Sequence, residues 1–299
     1  MVLKLSPTMV LVIGILAVTS SSFIVLEAGE ISNSMGDRIV LAFYRVLFTS
    51  FFSYVFLYRL FKLNPGRSNM HKETRASNIP MWAVVLLSGG SLAFHFSLWF
   101  ISLDYLPVGI SLALTNSAPI FVVILTWLLY HERTTPLQVG GVLMAISGAA
   151  ILSLESFNDS TVFLNGFLFA FLSAIALAVY LSLAKKGVTE YGLWNYFGKV
   201  NFVAAMVLLF WILFIGKNPV SLSTIYYGFL LALIPGIMGH ASFQYAMSRV
   251  RSAIVSVSTL GEPLLGTLIA WVFLDQILTG AQTIGGLLIL FGVYVTSRR

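Results

Sequence analysis

Long apolar runs alternate with short polar segments along the whole chain. Between charged clusters and turn residues, the pattern predicts ten spans of about 20 largely apolar residues, the length that an α-helix needs to cross a bilayer. The runs are continuous and do not alternate residue by residue, which favours helices over the strands of a membrane β-barrel. The predicted spans are 8–26, 39–58, 79–101, 106–129, 136–154, 163–183, 193–215, 224–246, 252–274 and 279–296.

The composition indicates that a bilayer is the solvent of this chain. Its 299 residues are 58% hydrophobic and 9% charged, with a mean hydropathy of +0.93. A soluble domain carries roughly 25% charged residues. We therefore predict an all-α integral membrane protein with ten transmembrane helices. The chain has no cysteine, which excludes disulfides and thiolate sites.

The distribution of charge predicts the orientation. Of the 17 lysine and arginine residues, 13 fall on one side of the ten-span arrangement. The other side has only Arg38 and Lys217, while Arg45 and Lys199 lie inside spans. Because an excess of basic residues marks the cytoplasmic side, we expect a multi-pass protein of the cytoplasmic membrane with both termini cytoplasmic. The net charge of +6 then reflects topology, and we expect no nucleic-acid partner.

Spans 4 and 5 are repeated as spans 9 and 10. A constant offset of 144 residues superposes two stretches without gaps. The identities are Thr115 with Thr259, Pro119 with Pro263, Trp127 with Trp271, Gln138 with Gln282, Gly141 with Gly285, and Gly148 with Gly292. Because the second copy begins five spans after the first, and five is an odd number, we expect the second copy to be inverted. Inverted repeats are typical of secondary transporters; a duplicated membrane protein that transports nothing is the alternative.

The repeated stretches also resemble a known family. "TNSAPIFVVILTWLLYHERTTPLQVGGVLMAISG" and "STLGEPLLGTLIAWVFLDQILTGAQTIGGLLILFGV" look like the two halves of an EamA-type carrier of the drug/metabolite transporter superfamily. The resemblance implies two inverted five-helix repeats, over 1–155 and 156–299, and export of small metabolites such as amino acids. The chain departs from the family pattern at two places. It has "VTSSSFIV" where the family usually has a Trp-Gly pair, and it has Asp275-Gln276 where the family usually has Gly-Glu.

Glu262 is the only ionisable residue between Arg251 and Asp275. A charge at the centre of a membrane helix costs roughly 2.5–3.5 kcal/mol on insertion scales. In a continuous helix, Ser258, Glu262 and Gly266 share one polar or small stripe, which we expect to face the bundle interior. Two interpretations stay open: a site for a substrate ammonium group or a proton, or a neutral hydrogen-bonded glutamate that joins helices.

Proline accompanies this glutamate and its repeat equivalent. Pro263 follows Glu262 directly, and Pro119 occupies the matching position in the first copy. Proline removes a backbone donor, so we expect helix kinks at both positions. Asn116, close to Pro119, is a further candidate for lining a cavity.

Arg45 is the second charge predicted inside the membrane. It follows Arg38 by seven residues, or about 10 Å along a helix. Arginine cannot realistically lose its proton in a protein, so it needs an anion or a route to water. It could hold a substrate carboxylate or pair with Glu262; extension of the side chain to the outer face is the alternative.

Two further pairs of residues are candidates for a central cavity. His95 and Trp99 lie one helical turn apart in span 3, and His240 and Gln244 lie one turn apart in span 8. The pairs are nearly repeat-equivalent, with an offset of 145. Ordinary packing or interfacial anchoring is the alternative.

Several functions and interactions are not expected. Two histidines and one distant carboxylate form no recognisable metal-ligand spacing, and no phosphate-binding G-x-x-x-x-G-K-[ST] motif is present. We therefore expect no metal, no cofactor and no ATP drive. Gly141, Ala145 and Ala149 form a stripe of small residues that serves either packing within the bundle or a homodimer.

These features predict a secondary carrier, not an enzyme, whose partners are a small-molecule substrate and membrane lipids. The carboxylate and amine of an amino acid would match a cavity that holds both Arg45 and Glu262. A membrane enzyme or lipid-handling protein would need a nucleophile or an acid–base pair at one interface. A multidrug or nucleotide-sugar carrier is the narrower alternative, and a phosphate-bearing substrate would require several cavity cations, of which the chain offers Arg45 and Lys199.

Overall fold

The computed structural model describes residues 6–31, 35–57, 78–106, 108–152, 160–218, 222–273 and 279–298, and every regular element in these ranges is a helix. The α-helices are α1 Pro7–Ile31, α2 Met35–Phe52, α3 Met81–Ser102, α4 Val108–Thr115, α5 Ala118–Tyr130, α6 Pro136–Leu152, α7 Ser160–Tyr191, α8 Leu193–Phe214, α9 Leu222–Leu231, α10 Ala241–Met247, α11 Ser252–Ser258, α12 Gly261–Phe273 and α13 Gly280–Ser297. A π-helical segment, Ser53–Leu57, continues α2, and another, Ala232–His240, joins α9 to α10.

Seven segments of the described chain are long and apolar enough to cross a membrane. They are Pro7–Ala28, Gly36–Val55, Met81–Ser102, Ile110–Tyr130, Leu164–Tyr191, Leu193–Phe214 and Leu222–Met247. Two shorter apolar helices cover Pro136–Ile151 and Thr283–Ser297. The prediction of an all-helical, multi-pass membrane protein is therefore confirmed. The predicted division between 155 and 156 lies outside the described residues.

Several predicted spans differ from the helices observed. The fourth was expected to be one helix over 106–129, but α4 ends at Thr115 and α5 begins at Ala118. The sixth was expected to end at 183, but α7 continues to Tyr191 because the lysines in its last turns have partners. Lys185 pairs with Glu132, and Lys186 pairs with Glu190. The ninth was expected to be one helix over 252–274, but α11 ends at Ser258 and α12 begins at Gly261.

Helices α6 and α13 cross at glycines in direct contact. A Cβ atom added at Gly148 would lie 2.6 Å from the carbonyl oxygen of Gly285, and one added at Gly292 would lie 2.5 Å from that of Gly141. The two helices are antiparallel, because the earlier glycine of each meets the later glycine of the other. The small-residue stripe of α6, which includes Ala145, thus packs inside one chain; the homodimer stays a prediction.

Both basic residues on the predicted basic-poor side form ion pairs. Arg38 in α2 donates to the carboxylate of Asp104 at 2.8 Å through Nε and at 2.6 Å through Nη2, and its Nη1 donates to the carbonyl oxygen of Val25 at 2.8 Å. Lys217 pairs with Asp37 at 2.8 Å. These contacts join α1, α2, the segment after α3 and the segment after α8.

A buried carboxylate joins three segments at the other end of the bundle. Glu132 follows α5 and accepts a hydrogen bond from Lys185 Nζ at 2.6 Å. It also accepts from the backbone N–H of Ser252 at 2.9 Å and from the Ser252 hydroxyl at 2.8 Å. Glu132 therefore caps the start of α11 while it pairs with α7, and an anion at a helix N-terminus is favourable.

The glycine crossing generates a stability prediction. We expect Gly148→Ala to destabilise the protein by about 1–3 kcal/mol, because the new methyl group would press on the backbone of α13 and not on a movable side chain. Gly140→Ala is the matched control, since a Cβ there meets nothing within 4 Å. Thermal unfolding of the purified proteins in detergent would measure both; equal unfolding temperatures would contradict the close crossing.

The Glu132 contacts generate a prediction that depends on pH. Glu132→Gln should cost about 3–5 kcal/mol at pH 7, because it leaves Lys185 buried without its anion. Burial alone would raise the pKa of Glu132, but Lys185 and Ser252 lower it below its ordinary value of 4.5. The stabilisation is therefore present above pH 4.5 and lost as the pH falls through the lowered pKa.

The measurement is thermal unfolding of wild type and Glu132→Gln from pH 7 downward. The gap between their unfolding temperatures should shrink below pH 4.5. Glu190→Gln is the control: it removes a carboxylate from an ion pair on the same helix α7, but that side chain is 44% exposed and the pair should contribute little. A gap that is independent of pH would show that the charge of Glu132 does not matter.

Candidate functional site

Two helices break at repeat-equivalent positions. Helix α4 ends at Thr115, and α5 begins at Ala118 with Pro119 in its first turn. In the second copy α11 ends at Ser258, and α12 begins at Gly261 with Pro263 in its first turn. Each proline thus begins a helix, where its missing N–H leaves no hydrogen bond unmade. The expected stripe through Ser258 and Glu262 is corrected, because the two residues belong to different helices.

Short-range bonds satisfy the backbone at both breaks. The N–H of Ser117 donates to the carbonyl oxygen of Leu114 at 3.1 Å, and the N–H of Thr259 donates to that of Ser256 at 3.2 Å. The Ser117 and Thr259 hydroxyls donate to the same two carbonyl oxygens, each at 2.7 Å. Such compensation allows a helix to stop inside an apolar region.

A small cavity lies where the two breaks meet. Residues of both breaks line it, namely Thr115 and Asn116 from the first copy, and Thr259 and Glu262 from the second. The other lining residues are Val18, Ser21, His95, Trp99, Leu112, Leu177, His240 and Phe243. The structure therefore brings together five of the seven predicted binding or coupling residues.

Aromatic and imidazole rings form one wall of this cavity. The rings of His95 and Trp99 are nearly parallel, at an interplanar angle of 9° and a centroid separation of 6.2 Å. His95 Nδ1 lies 2.9 Å from the Ser173 hydroxyl, which fixes the ring orientation. The rings of His95 and His240 are 6.1 Å apart, so the two halves of the chain contribute to one wall.

Glu262 lies in the first turn of α12, where its carboxylate faces the cavity. An acidic group is favoured there by the helix dipole. The Asn116 side chain lies close to this carboxylate, but its Nδ2 atom has no hydrogen-bond partner of ordinary geometry. Among the described residues, no ion pair within 4 Å joins Glu262 to Arg45.

The other two predicted residues lie behind the cavity wall. Arg45 is 1% exposed; its Nη1 donates to the Ser21 hydroxyl at 2.9 Å, and its guanidinium carbon lies 3.8 Å from the centroid of the Phe96 ring. The side chain therefore does not extend to the outer face. Gln244 is fully buried, and among the described residues neither of its amide atoms has a hydrogen-bond partner of ordinary geometry.

Three polar lining residues were not predicted as site residues. Thr115 and Thr259 were used as markers of the repeat, and Thr259 was also expected beside the Glu262 stripe, although identity in both copies beside Asn116 was a usable signal for both. Ser21 belongs to the polar run "VTSSSFIV" of α1, where the chain departs from the family pattern. No group of three histidine or acidic residues able to hold a metal ion occurs within the described part of the chain.

Two broken helices that meet at a buried polar cavity are the arrangement found in secondary transporters. The model of the EamA-like transporter family matches residues 8–154 and 164–298. The chain belongs to this family, and the family predicted from the sequence is confirmed. It is thus a multi-pass membrane protein of a transporter family that acts on small molecules.

Several curated proteins are similar along most of their length. An uncharacterised transporter of Archaeoglobus fulgidus is 24% identical over 88% of this chain and 89% of its own. A probable terminal-alkyne amino-acid exporter of Streptantibioticus cattleyicolor is 26% identical over 76% of each chain. A probable amino-acid metabolite efflux pump of Escherichia coli is 25% identical over 67% of this chain and 71% of its own.

The fold also matches a solved crystal structure. The two chains superpose with a TM-score of 0.74 over 97% of each, at 17% sequence identity. At this identity the match supports the fold alone.

The absence of cysteine allows a direct test of the cavity wall. We expect single variants Thr115→Cys and Thr259→Cys to react with a small hydrophilic thiol reagent, because both positions line the cavity. Thr126→Cys is the control, since Thr126 is equally buried but lies outside the lining. Mass spectrometry of the labelled proteins would measure this; modification of all three positions, or of Thr126 alone, would contradict the assigned wall.

Proposed function

We propose that this protein is a secondary transporter of the cytoplasmic membrane that exports small metabolites such as amino acids by alternating access. The observation that carries the proposal is the pair of repeat-equivalent helix breaks, which meet at one cavity containing Glu262. In inverted-repeat transporters, substrate and coupling sites lie at such interrupted helices, near the middle of the membrane.

The α6–α13 crossing supports ten helices in two inverted five-helix repeats. Gly141 and Gly148 are equivalent to Gly285 and Gly292, and each glycine of one pair contacts the non-equivalent glycine of the other. Reciprocal contacts of this kind arise at a two-fold axis. The antiparallel course of the two equivalent helices is what inversion of one repeat requires.

The charges near the cavity support a zwitterionic substrate. Arg45 is a buried cation, Glu262 is an acidic residue that lines the cavity, and no ion pair within 4 Å joins them among the described residues. The names of the Streptantibioticus and Escherichia relatives, an amino-acid exporter and an amino-acid metabolite efflux pump, agree with this class. An amino acid offers a carboxylate for the arginine and an ammonium group for the glutamate.

A nucleotide-sugar carrier is less well supported. A phosphate-bearing substrate would need several cations, but Lys199 lies 4.1 Å over the ring of Tyr191, at the end of α7, and is not part of the cavity wall. Arg45 is then the only predicted in-membrane cation near the cavity. The proposed orientation, with both termini cytoplasmic, rests on the excess of basic residues on one side.

Counterflow into liposomes would test the proposal. Purified protein is reconstituted, the liposomes are preloaded with pooled amino acids and related metabolites, and exchange is read by mass spectrometry against empty liposomes. Selective exchange of one chemical class would identify a carrier and its substrates. Absence of exchange by folded protein would contradict the amino-acid assignment.

Glu262 should be required for that exchange. We expect Glu262→Gln to lower the exchange rate at least about 10-fold, because the uncharged amide cannot pair with a substrate ammonium group or carry a proton. Glu190→Gln, which changes an exposed carboxylate away from the cavity, should exchange at the wild-type rate. Size-exclusion profiles would confirm that both variants fold, and unchanged exchange by Glu262→Gln would remove this residue from the mechanism.

A further inference from the structure

Helix α2 carries two buried arginines with different surroundings. Arg38 uses its Nε, Nη1 and Nη2 atoms in bonds to Asp104 and to the carbonyl oxygen of Val25. Within the described part of the chain, Arg45 donates only through Nη1, to Ser21, and its buried Nε and Nη2 atoms have no hydrogen-bond partner. Arg38 therefore has the contacts of a structural arginine, whereas Arg45 keeps a side of its guanidinium group available for an anion.

The polar groups next to Arg45 are also buried without partners. Tyr180 stands beside the ring of His240 at 5.9 Å between centroids, and its hydroxyl lies near the Gln244 amide. Among the described residues, the Tyr180 hydroxyl, His240 Nδ1 and both amide atoms of Gln244 have no hydrogen-bond partner of ordinary geometry. Buried polar groups without partners are destabilising, and each calls for a partner such as a water, an ion or a ligand.

The chemistry of this cluster selects an anion with two oxygen atoms. The free Nε and Nη2 edge of a guanidinium group matches a carboxylate in bidentate geometry, and the Gln244 amide and Tyr180 hydroxyl can donate to the same oxygens. No carboxylate of the described residues lies within 4 Å of Arg45. The single positive charge favours a carboxylate over a phosphate dianion, because the nearby carboxylate of Glu262 repels additional negative charge.

We propose that Arg45, Gln244 and Tyr180 form a subsite for the substrate carboxylate, distinct from the ammonium site at Glu262. This assignment rests on the proposed transport function and adds which end of the substrate contacts which residues. Ser21 connects the two regions, because it lines the cavity and accepts a hydrogen bond from Arg45. In the proposed arrangement, the substrate carboxylate would approach Arg45 from the Ser21 side of the cavity, while the ammonium end stays at the helix breaks.

The test compares matched ligands that lack one end of the zwitterion. The probes are L-alanine, L-alaninamide and propionate, and a larger series of L-phenylalanine, L-phenylalaninamide and 3-phenylpropionate. Ligand-dependent thermal stabilisation of the purified full-length protein gives the apparent affinities, at constant ionic strength. In wild type, at least one amino acid should bind at least about 10-fold more tightly than its amide and its deaminated acid.

The variants assign each end of the ligand to its residue. Arg45→Gln should reduce the ratio of amino-acid to amide affinity to about 1, and Arg45→Lys, which keeps the charge but loses the planar fork, should restore part of it. Glu262→Gln should keep this ratio and remove the preference for the amino acid over the deaminated acid. Arg38→Lys, on the same helix, should retain both preferences. Tyr180→Phe should lower the ratio of amino-acid to amide affinity severalfold, and it serves as the second variant if Arg45→Gln does not fold.

The outcomes separate this subsite from the transport function. The subsite would be overturned if the ratio of amino-acid to amide affinity stayed at its wild-type value in Arg45→Gln and Tyr180→Phe. It would also be overturned if wild type bound no amino acid more tightly than its amide. If counterflow is positive in either case, the carrier function stands without the subsite. Carboxylate binding that depends on Arg45, in a protein that exchanges nothing, would support the subsite and refute the carrier.

Discussion

A lipid bilayer offers no hydrogen bonds to a polypeptide backbone, and this constraint governs the arrangement of the molecule. A helix can stop inside the membrane only where its freed N–H and C=O groups find partners or border a polar space. The breaks after Thr115 and Ser258 meet both conditions. Serine and threonine hydroxyls bond the nearby carbonyl oxygens, and residues of both breaks face a shared cavity. The cavity and the breaks are therefore one structural feature.

The same constraint separates charges that stabilise the fold from charges that serve a ligand. Burying an ion is costly unless it is paired. Arg38 with Asp104, and Glu132 with Lys185, satisfy that condition. Arg45 and Glu262 do not satisfy it, because neither residue has an ion-pair partner within 4 Å among the described residues. Two opposite, unpaired charges beside a cavity are an expensive arrangement for stability alone, and a zwitterionic substrate would offset the cost of both.

The sequence predicted the features that depend on local pattern and missed those that depend on three-dimensional packing. Hydropathy was sufficient to place His95, Trp99, Asn116, His240 and Glu262 inside the membrane, and the 144-residue offset paired α6 with α13. A proline in an apolar run does not reveal whether it kinks a helix or begins one, so the breaks before Pro119 and Pro263 were not foreseen. The position of Arg45 and Gln244 behind the wall depends on the packing of α1, α3 and α7, which spacing along one helix does not encode.

The Glu132 contacts connect the two half-helices that border the cavity. Helix α5 begins at the first break and ends at Tyr130, two residues before Glu132, whereas α11 begins at Ser252 and ends at the second break. Glu132 thus joins the ends of α5 and α11 that lie farthest from the cavity. In the proposed alternating-access cycle, separating α5 from α11 at that end would break the hydrogen bonds that Ser252 donates to Glu132, whereas the ion pair of Glu132 is with Lys185 of α7. Because a hydrogen bond to a charged group contributes about 1.5–3 kcal/mol, the proposed cycle would have to recover this energy from contacts made in its other state. We therefore expect Glu132 to influence the balance between the two proposed states, although it is not part of the cavity wall.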